Sequence, residues 1–118
     1  MGFLLKKMIF QQKELVLLPY PFSDQAGSKV RPAVIVSNDF FNKRCEDCIM
    51  APLTTVIKDK PFSLIISQDS LESGKLLKQS RIRIDKVFTI NKNLIIMKIG
   101  KINNEMLVKI KSEIDKAF

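Results

Sequence analysis

No histidine occurs anywhere in this 118-residue chain, and that absence removes the most familiar general acid–base pair from any chemistry the protein performs. Cysteine is scarce as well. Cys45 and Cys48 form a single Cys-x-x-Cys. With no second pair and no histidine, a tetrahedral zinc site lacks half its ligands unless two copies of the chain join their pairs. Reduced structural thiols are the simpler expectation. The acids are scattered, with Glu46 and Asp47 the only adjacent ones, so a carboxylate cluster for metal-assisted cleavage has little support and no cofactor is expected.

Long apolar runs are missing too. The opening MGFLLKKMIF is broken by Lys6 and Lys7, far short of the roughly 20 residues that span a bilayer. It also lacks the order of basic residues, apolar run and small-residue cleavage site that marks a signal peptide. A cytoplasmic protein with no membrane association is expected. No repeat, biased tract or Pro- and Gly-rich linker divides the chain, so residues 1–118 read as one domain. Residues 1–12 form an N-terminal extension to it, and Met8 is an alternative start.

What the chain does have is positive charge. Twenty Lys and Arg against twelve Asp and Glu give a formal charge of +8 and a pI near 9.7, which attracts polyanions over long range. Nucleic acid leads as a partner and an acidic protein follows. Basic surfaces also serve solubility alone, so the motifs must decide.

Short runs of β-type residues separated by turn signals argue for a compact barrel or sandwich. Strands are expected over 14–18, 32–37, 48–53, 63–67, 76–84, 87–90 and 94–99, with a surface loop over 22–30. The period then changes. Leu107, Ile110, Ile114 and Phe118 recur at helical spacing behind Asn103, a good N-cap, so one C-terminal helix should pack on the sheet.

With histidine and a metal cluster set aside, the remaining chemistry is that of arginine, hydroxyl and isolated carboxylate. This suits phosphoryl transfer, in which positioning and charge stabilisation do most of the work. RNA supplies its own nucleophile, the 2′-hydroxyl, and an arginine can neutralise the charge that grows on the phosphoryl oxygens.

Three stretches can contribute. In Asp24-Gln25-Ala26-Gly27-Ser28-Lys29-Val30-Arg31-Pro32 a loop delivers Arg31 to a strand, with Pro32 as the strand's first residue holding Arg31 extended; by itself this is also an ordinary exposed arginine beside a turn. Ala51-Pro52-Leu53-Thr54-Thr55 ends a strand on hydroxyls, which elsewhere serve β-propensity or a local backbone bond. In Ser80-Arg81-Ile82-Arg83-Ile84-Asp85-Lys86, alternation places Ile82 and Ile84 on one face and Arg81, Arg83 and Asp85 on the other. The plain alternative there is a solvated strand face with an Arg83–Asp85 pair.

Taken together, GSKVRPAVIVSND, the strand ending in APLTT, Pro61-Phe62 and SRIRIDK resemble the MazF/PemK toxins in order and spacing. The similarity runs from about Glu14 to the C-terminal helix. It implies a mainly β, α+β fold: an SH3-like barrel of the MazF/PemK/CcdB type with a C-terminal helix. It further implies a homodimer that binds single-stranded RNA, acts as a metal-independent endoribonuclease leaving cyclic-phosphate and 5′-hydroxyl ends, and is blocked by a cognate antitoxin.

Carried over by position, Arg31 and Thr54 match the family's catalytic arginine and hydroxyl, and Arg83 and Asp85 match an Arg-x-Asp pair, with Asp85 the third catalytic candidate. Asp24, Gln25, Ser28 and Lys29 of the loop, with Ser80, Arg81, Arg83 and Lys86, form the expected substrate-binding set. The chain departs from the family in three places. Lys13-Glu14 replaces the usual Gly-Asp or Gly-Glu, which should affect a turn; the loop before Arg31 is longer; and no loop histidine exists. Because an arginine pKa above 12 rules out a neutral general base near pH 7, Arg31 is expected to stabilise charge while Thr54 orients the phosphate. The competing functions are a non-catalytic toxin of the CcdB kind that binds DNA gyrase, and an RNA-binding barrel that does not cut.

Overall fold

The computed structural model describes residues 8–20, 29–56 and 58–118. Among these, eight strands and two helices occur: β1 (Glu14–Tyr20), β2 (Lys29–Ile35), α1 (Asp39–Arg44), β3 (Asp47–Thr54), β4 (Ser63–Ile66), β5 (Leu71–Gly74), β6 (Ser80–Arg83), β7 (Phe88–Asn91), β8 (Met97–Ile102) and α2 (Asn104–Ala117). The strands run β4-β6-β3-β2-β1-β8-β5 in one curled antiparallel sheet, and β7 also pairs with β3.

Strand β3 organises the sheet. One edge takes β2 through Ala33–Pro52, Val34–Ala51 and Ile35–Met50. The other takes β7 along Asp47–Met50 and then β6 at Leu53–Ile82 and Thr54–Arg81. A single strand thus hands its neighbour over partway along, which closes the sheet toward a barrel.

Side chains alternate across a strand, and both faces of this sheet are covered. On one, Leu15, Val34, Ala51, Leu53, Ile66, Ile82, Ile84 and Ile102 pack against Met106 and Ile110 of α2. On the other, Val16, Leu18, Ala33, Ile35, Cys48 and Met50 pack with Phe10, Ile90 and Ile95. Helix α2 begins as expected, with the Asn103 side-chain oxygen accepting from the Met106 amide at 2.8 Å. Phe118 does not continue its apolar stripe: it caps the helix and is 88% exposed.

Several boundaries differ from the sequence reading. The strand expected over 76–84 is confined to Ser80–Arg83, because Leu77, read as strand interior, is fully outside the packing at 92% exposure. Beyond Arg83 the chain turns into a 3-10 segment, Ile84–Lys86. Helix α1 and strand β5 had no clear periodic signal, being six and four residues long. The 87–90 and 94–99 expectations shift to β7 and β8. The loop expected over 22–30 lies outside the described residues except for Lys29 and Val30, which already belong to β2.

Pro32 is a correction with a physical reason. It lies in the middle of β2, opposite Leu17, rather than first in the strand. The Leu17 carbonyl accepts from the Ile96 amide at 2.8 Å on the β8 side, so Leu17 and Pro32 face each other without exchanging bonds. The N–H that proline lacks therefore points toward β3, where pairing has already stopped at Ala33. A central-strand proline is tolerated because no ladder bond is lost.

Lys13, where the resemblance implies a glycine, adopts φ +85°, a left-handed conformation that costs a non-glycine residue on the order of 1 kcal/mol. Its side chain offsets this by donating to Glu72 at 2.9 Å and to Asn104 at 2.7 Å. Gly74, at φ +87°, is required by crowding as well, since a Cβ there would fall 2.3 Å from the Gly100 Cα.

Candidate functional site

The β2–β3 pairing stops at Ala33–Pro52. Continued two residues further in the same register, it sets Arg31 across from Thr54. Thr54 is in turn the direct partner of Arg81 on β6, and Arg83 follows two residues on. Partners in an antiparallel pair share a face, so Arg31, Thr54, Arg81 and Arg83 form a row on one side of three consecutive strands. This is the side that carries the second apolar cluster, and the row begins where that cluster ends. Arg31 and Thr54 are half-buried, which leaves them held by the sheet yet reachable.

Each member is fixed differently. Thr54 ends β3 with its Oγ1 accepting from the Val56 amide at 3.2 Å, so its hydroxyl hydrogen remains available to a phosphate oxygen. Arg83 makes a two-point pair with Asp85, Nε to Oδ1 at 2.8 Å and Nη2 to Oδ2 at 2.6 Å. The 3-10 turn after β6 brings Asp85 to it; strand alternation, which the sequence suggested, ends at Arg83. The hydrogen bonds from Arg83, followed by its charge, hold the Asp85 carboxyl below the usual aspartate range. A carboxylate so stabilised is a poor proton acceptor and a good anchor for its arginine.

Arg81 departs most from expectation. In place of a solvated strand face, it is 8% exposed, with Nη1 donating to Ser63 Oγ at 3.0 Å and Nη2 lying 3.5 Å from the carboxylate of Asp59. Neither Ser63 nor Asp59 carried a sequence signal, because only the pairing of β4 with β6 and the path of the chain leading into β4 bring them to Arg81. Ser80, expected to touch substrate, is turned inward and donates to the Lys78 carbonyl at 3.1 Å. Lys29 and Lys86 are exposed at the two ends of the row. Asp24, Gln25 and Ser28 lie outside the described residues.

Elsewhere, Cys48 is fully buried in the second apolar cluster and Cys45 is half-buried; burial pushes the Cys48 thiol up from its ordinary value. Among the described residues no group of three or more His, Cys, Asp and Glu is placed to hold a metal ion, and no helix is long and apolar enough to cross a membrane. Phe40 is exposed under the guanidinium of Arg44, 3.9 Å from its ring centre, while Phe41 is half-buried.

The fold and this row define a class of protein, a small curled-sheet domain with a basic, hydroxyl-bearing end to its central strands. Residues 11–118 match the family model of the PemK-like, MazF-like toxins of type II toxin–antitoxin systems, and the chain belongs to that family. Its fold is similar to that of MazF in a MazE–MazF structure from Deinococcus radiodurans, with a TM-score of 0.76 at 17% identity, covering 93% of this chain and 96% of that one. An endoribonuclease from a mycobacterial species, solved with its cognate antitoxin, matches with a TM-score of 0.74 at 17% identity over 92% and 93% of the two chains. The Mycobacterium tuberculosis toxin MazF-mt6 matches at 0.72 and 18% identity over 89% and 95%. A search of curated sequences gives no significant match.

Proposed function

We propose that this toxin is a metal-independent endoribonuclease that cleaves single-stranded RNA. The observation that carries the reading is the placement of Arg31 and Thr54 on one face just beyond the last β2–β3 pair, Ala33–Pro52, with Thr54 paired to Arg81 and Arg83 following on the same face. A cation and a hydroxyl held on adjacent strands can fix a phosphate from two sides, and positioning of this kind is the main requirement of phosphoryl transfer.

In the step proposed, the 2′-oxygen attacks the adjacent phosphorus, its proton passes to water, and the bond from phosphorus to the 5′-oxygen breaks. The products are a 2′,3′-cyclic phosphate and a 5′-hydroxyl, the departing oxygen taking up a proton. Arg31 neutralises charge on the non-bridging oxygens and Thr54 donates to one of them. Asp85, already engaged by Arg83, orients that guanidinium toward the substrate rather than taking the 2′ proton. Lys29 and Lys86 extend the positive field along the strand of RNA.

A homodimer and a cognate antitoxin are part of this proposal. In support, Leu17, Pro19, Val30, Pro32 and Met97 fall on one face by register, and Val30 and Met97 are about half exposed. Such a patch suits a protein partner.

The test is incubation of the purified protein with long single-stranded RNA and matched DNA in excess EDTA, beside Arg31→Ala and Thr54→Ala, with the cut ends mapped. Discrete RNA fragments bearing 5′-hydroxyls, absent from DNA and lost in Arg31→Ala, are expected. RNAs left intact, or cutting that survives in Arg31→Ala, would replace this reading with gyrase binding or RNA binding without cleavage.

A further inference from the structure

The turn that leads into β4 carries a residue ill suited to its backbone. Pro61 and Phe62 are the central residues between Lys60 and Ser63, and Phe62 adopts φ +57°. With proline second, a positive φ at the third place of a turn ordinarily calls for glycine or asparagine. A bulky side chain there is strained, and such strain persists only where the surroundings impose it. Here they do. The Phe62 carbonyl accepts from the Ile84 amide at 2.9 Å. Ser63 Oγ donates to the Lys60 carbonyl at 2.6 Å and accepts from Arg81 Nη1 at 3.0 Å, while Arg81 Nη2 lies 3.5 Å from the Asp59 carboxylate. The buried guanidinium of Arg81 thus holds the chain on both sides of Phe62.

What this brace presents is an aromatic ring. Continued back from Leu64, strand alternation would turn Phe62 inward, yet it is 37% exposed and, among the described residues, belongs to neither apolar cluster. Lys58 and Lys60 just before it are exposed, and Ser63 pairs with Arg83 of the basic row. Phe62 therefore stands at the β4 edge of that row, two strands over from Thr54, about 10 Å or more at the usual strand spacing. A flat apolar ring among cations suits single-stranded nucleic acid, whose backbone follows the charges while an unstacked base lies on the ring.

We propose that Phe62 is a base-stacking platform for a nucleotide outside the scissile step, and that Arg81 is the positioning residue that braces it through Ser63 and Asp59. The inference deepens the RNA reading above and rests on single-stranded RNA as the ligand, though not on its cleavage.

The probe is a short 2′-O-methyl oligoribonucleotide, which has no 2′-hydroxyl to attack and so reports binding alone. It carries the sequence around a mapped cut, or a mixed sequence if no RNA is cut, and a set of copies lacks one base at a time. Loss of the stacked base should weaken wild-type binding at least about 5-fold. Phe62→Gly relieves the turn but frees the unfolded chain, so its thermal midpoint should stay near wild type. Its affinity for the intact oligonucleotide should fall by the same factor, and the missing base should then cost nothing further. Phe62→Trp, which keeps an aromatic face, should keep both the affinity and the base dependence. Ser63→Ala, which releases the turn from Arg81, should weaken binding less than Phe62→Gly does, and its effect and that of the missing base should be less than additive.

A Phe62→Gly protein with wild-type affinity, or one as sensitive to the missing base as wild type, overturns the platform and leaves the exposed ring to a protein partner. Wild-type affinity and base dependence in Ser63→Ala overturn the bracing role of Arg81. Failure of RNA cleavage in every protein beside a Phe62-dependent base effect counts against the nuclease reading and not against the platform. Cleavage that proceeds while Phe62→Gly binds like wild type does the reverse.

Discussion

Strands β2 and β3 have two unlike halves. Along Ala33–Ile35 and Cys48–Leu53 the paired stretch is buried among apolar neighbours on both faces. At the other end, where the ladder has stopped, Arg31 and Thr54 lie on the same face and are only half-buried. The strands do not change; what changes is whether a partner covers them. The covered half supplies stability and rigidity, and the open half inherits that rigidity for a polar row, which is how a small domain can hold a reactive geometry without a deep cleft.

Mutations should separate the halves. The largest effect is expected from Arg31→Ala: cleavage falls about 100- to 1,000-fold, the scale for losing one charge-stabilising donor, while the thermal midpoint stays near wild type. A matching loss of stability in a melting scan would mean that the row is part of the core after all. Met50→Ala, on the covered half and fully buried, should do the reverse, costing about 2–5 kcal/mol in denaturant unfolding with kcat little changed in the remaining folded protein.

Smaller effects probe how the covered half is closed. Asn103→Ala removes the cap of α2 and should cost about 1 kcal/mol, read by chemical denaturation. Lys13→Gly relieves the left-handed backbone but discards the bonds to Glu72 and Asn104; the two nearly cancel, and a stability change within about 1 kcal/mol is expected.

The smallest effect is a null one, with a definite sign behind it. Because the folded Asp85 carboxyl is held below its ordinary value, its contribution to stability is complete above the unfolded aspartate range and is lost only as pH falls through the depressed folded value. Between pH 5 and 8 the Arg83–Asp85 pair should therefore add no inflection to the cleavage profile. An inflection there that disappears in Asp85→Asn would restore Asp85 as a proton acceptor.

How much of this was legible in advance depends on whether a residue's role is local. The Asn103 cap, the apolar stripe of α2 and the bodies of β1, β2, β3 and β4 could be read from spacing, since capping and alternation are properties of neighbouring residues. Arg31, Thr54 and the Arg83–Asp85 pair could be named from motif resemblance. The burial of Arg81 could not, because alternation says which side of a strand a residue faces and not whether β4 and the loop bearing Asp59 close over it. The inward turn of Ser80 and the true position of Pro32 were hidden for the same reason.

The sequence alone determined the charge of +8, the absence of histidine and hence of its acid–base chemistry, the mainly β pattern with one long helix, and the motifs that place the chain among the PemK-like toxins. Those follow from residue type and short-range period. Only the tertiary structure decided that Arg31 and Thr54 lie just beyond the last β2–β3 pair on one face, that Arg83 is paired with Asp85 while Arg81 is buried beside Ser63, and that Lys13 holds a left-handed backbone. Each of these is a relation between strands or loops distant along the chain, and such relations exist only once pairing register and burial are set.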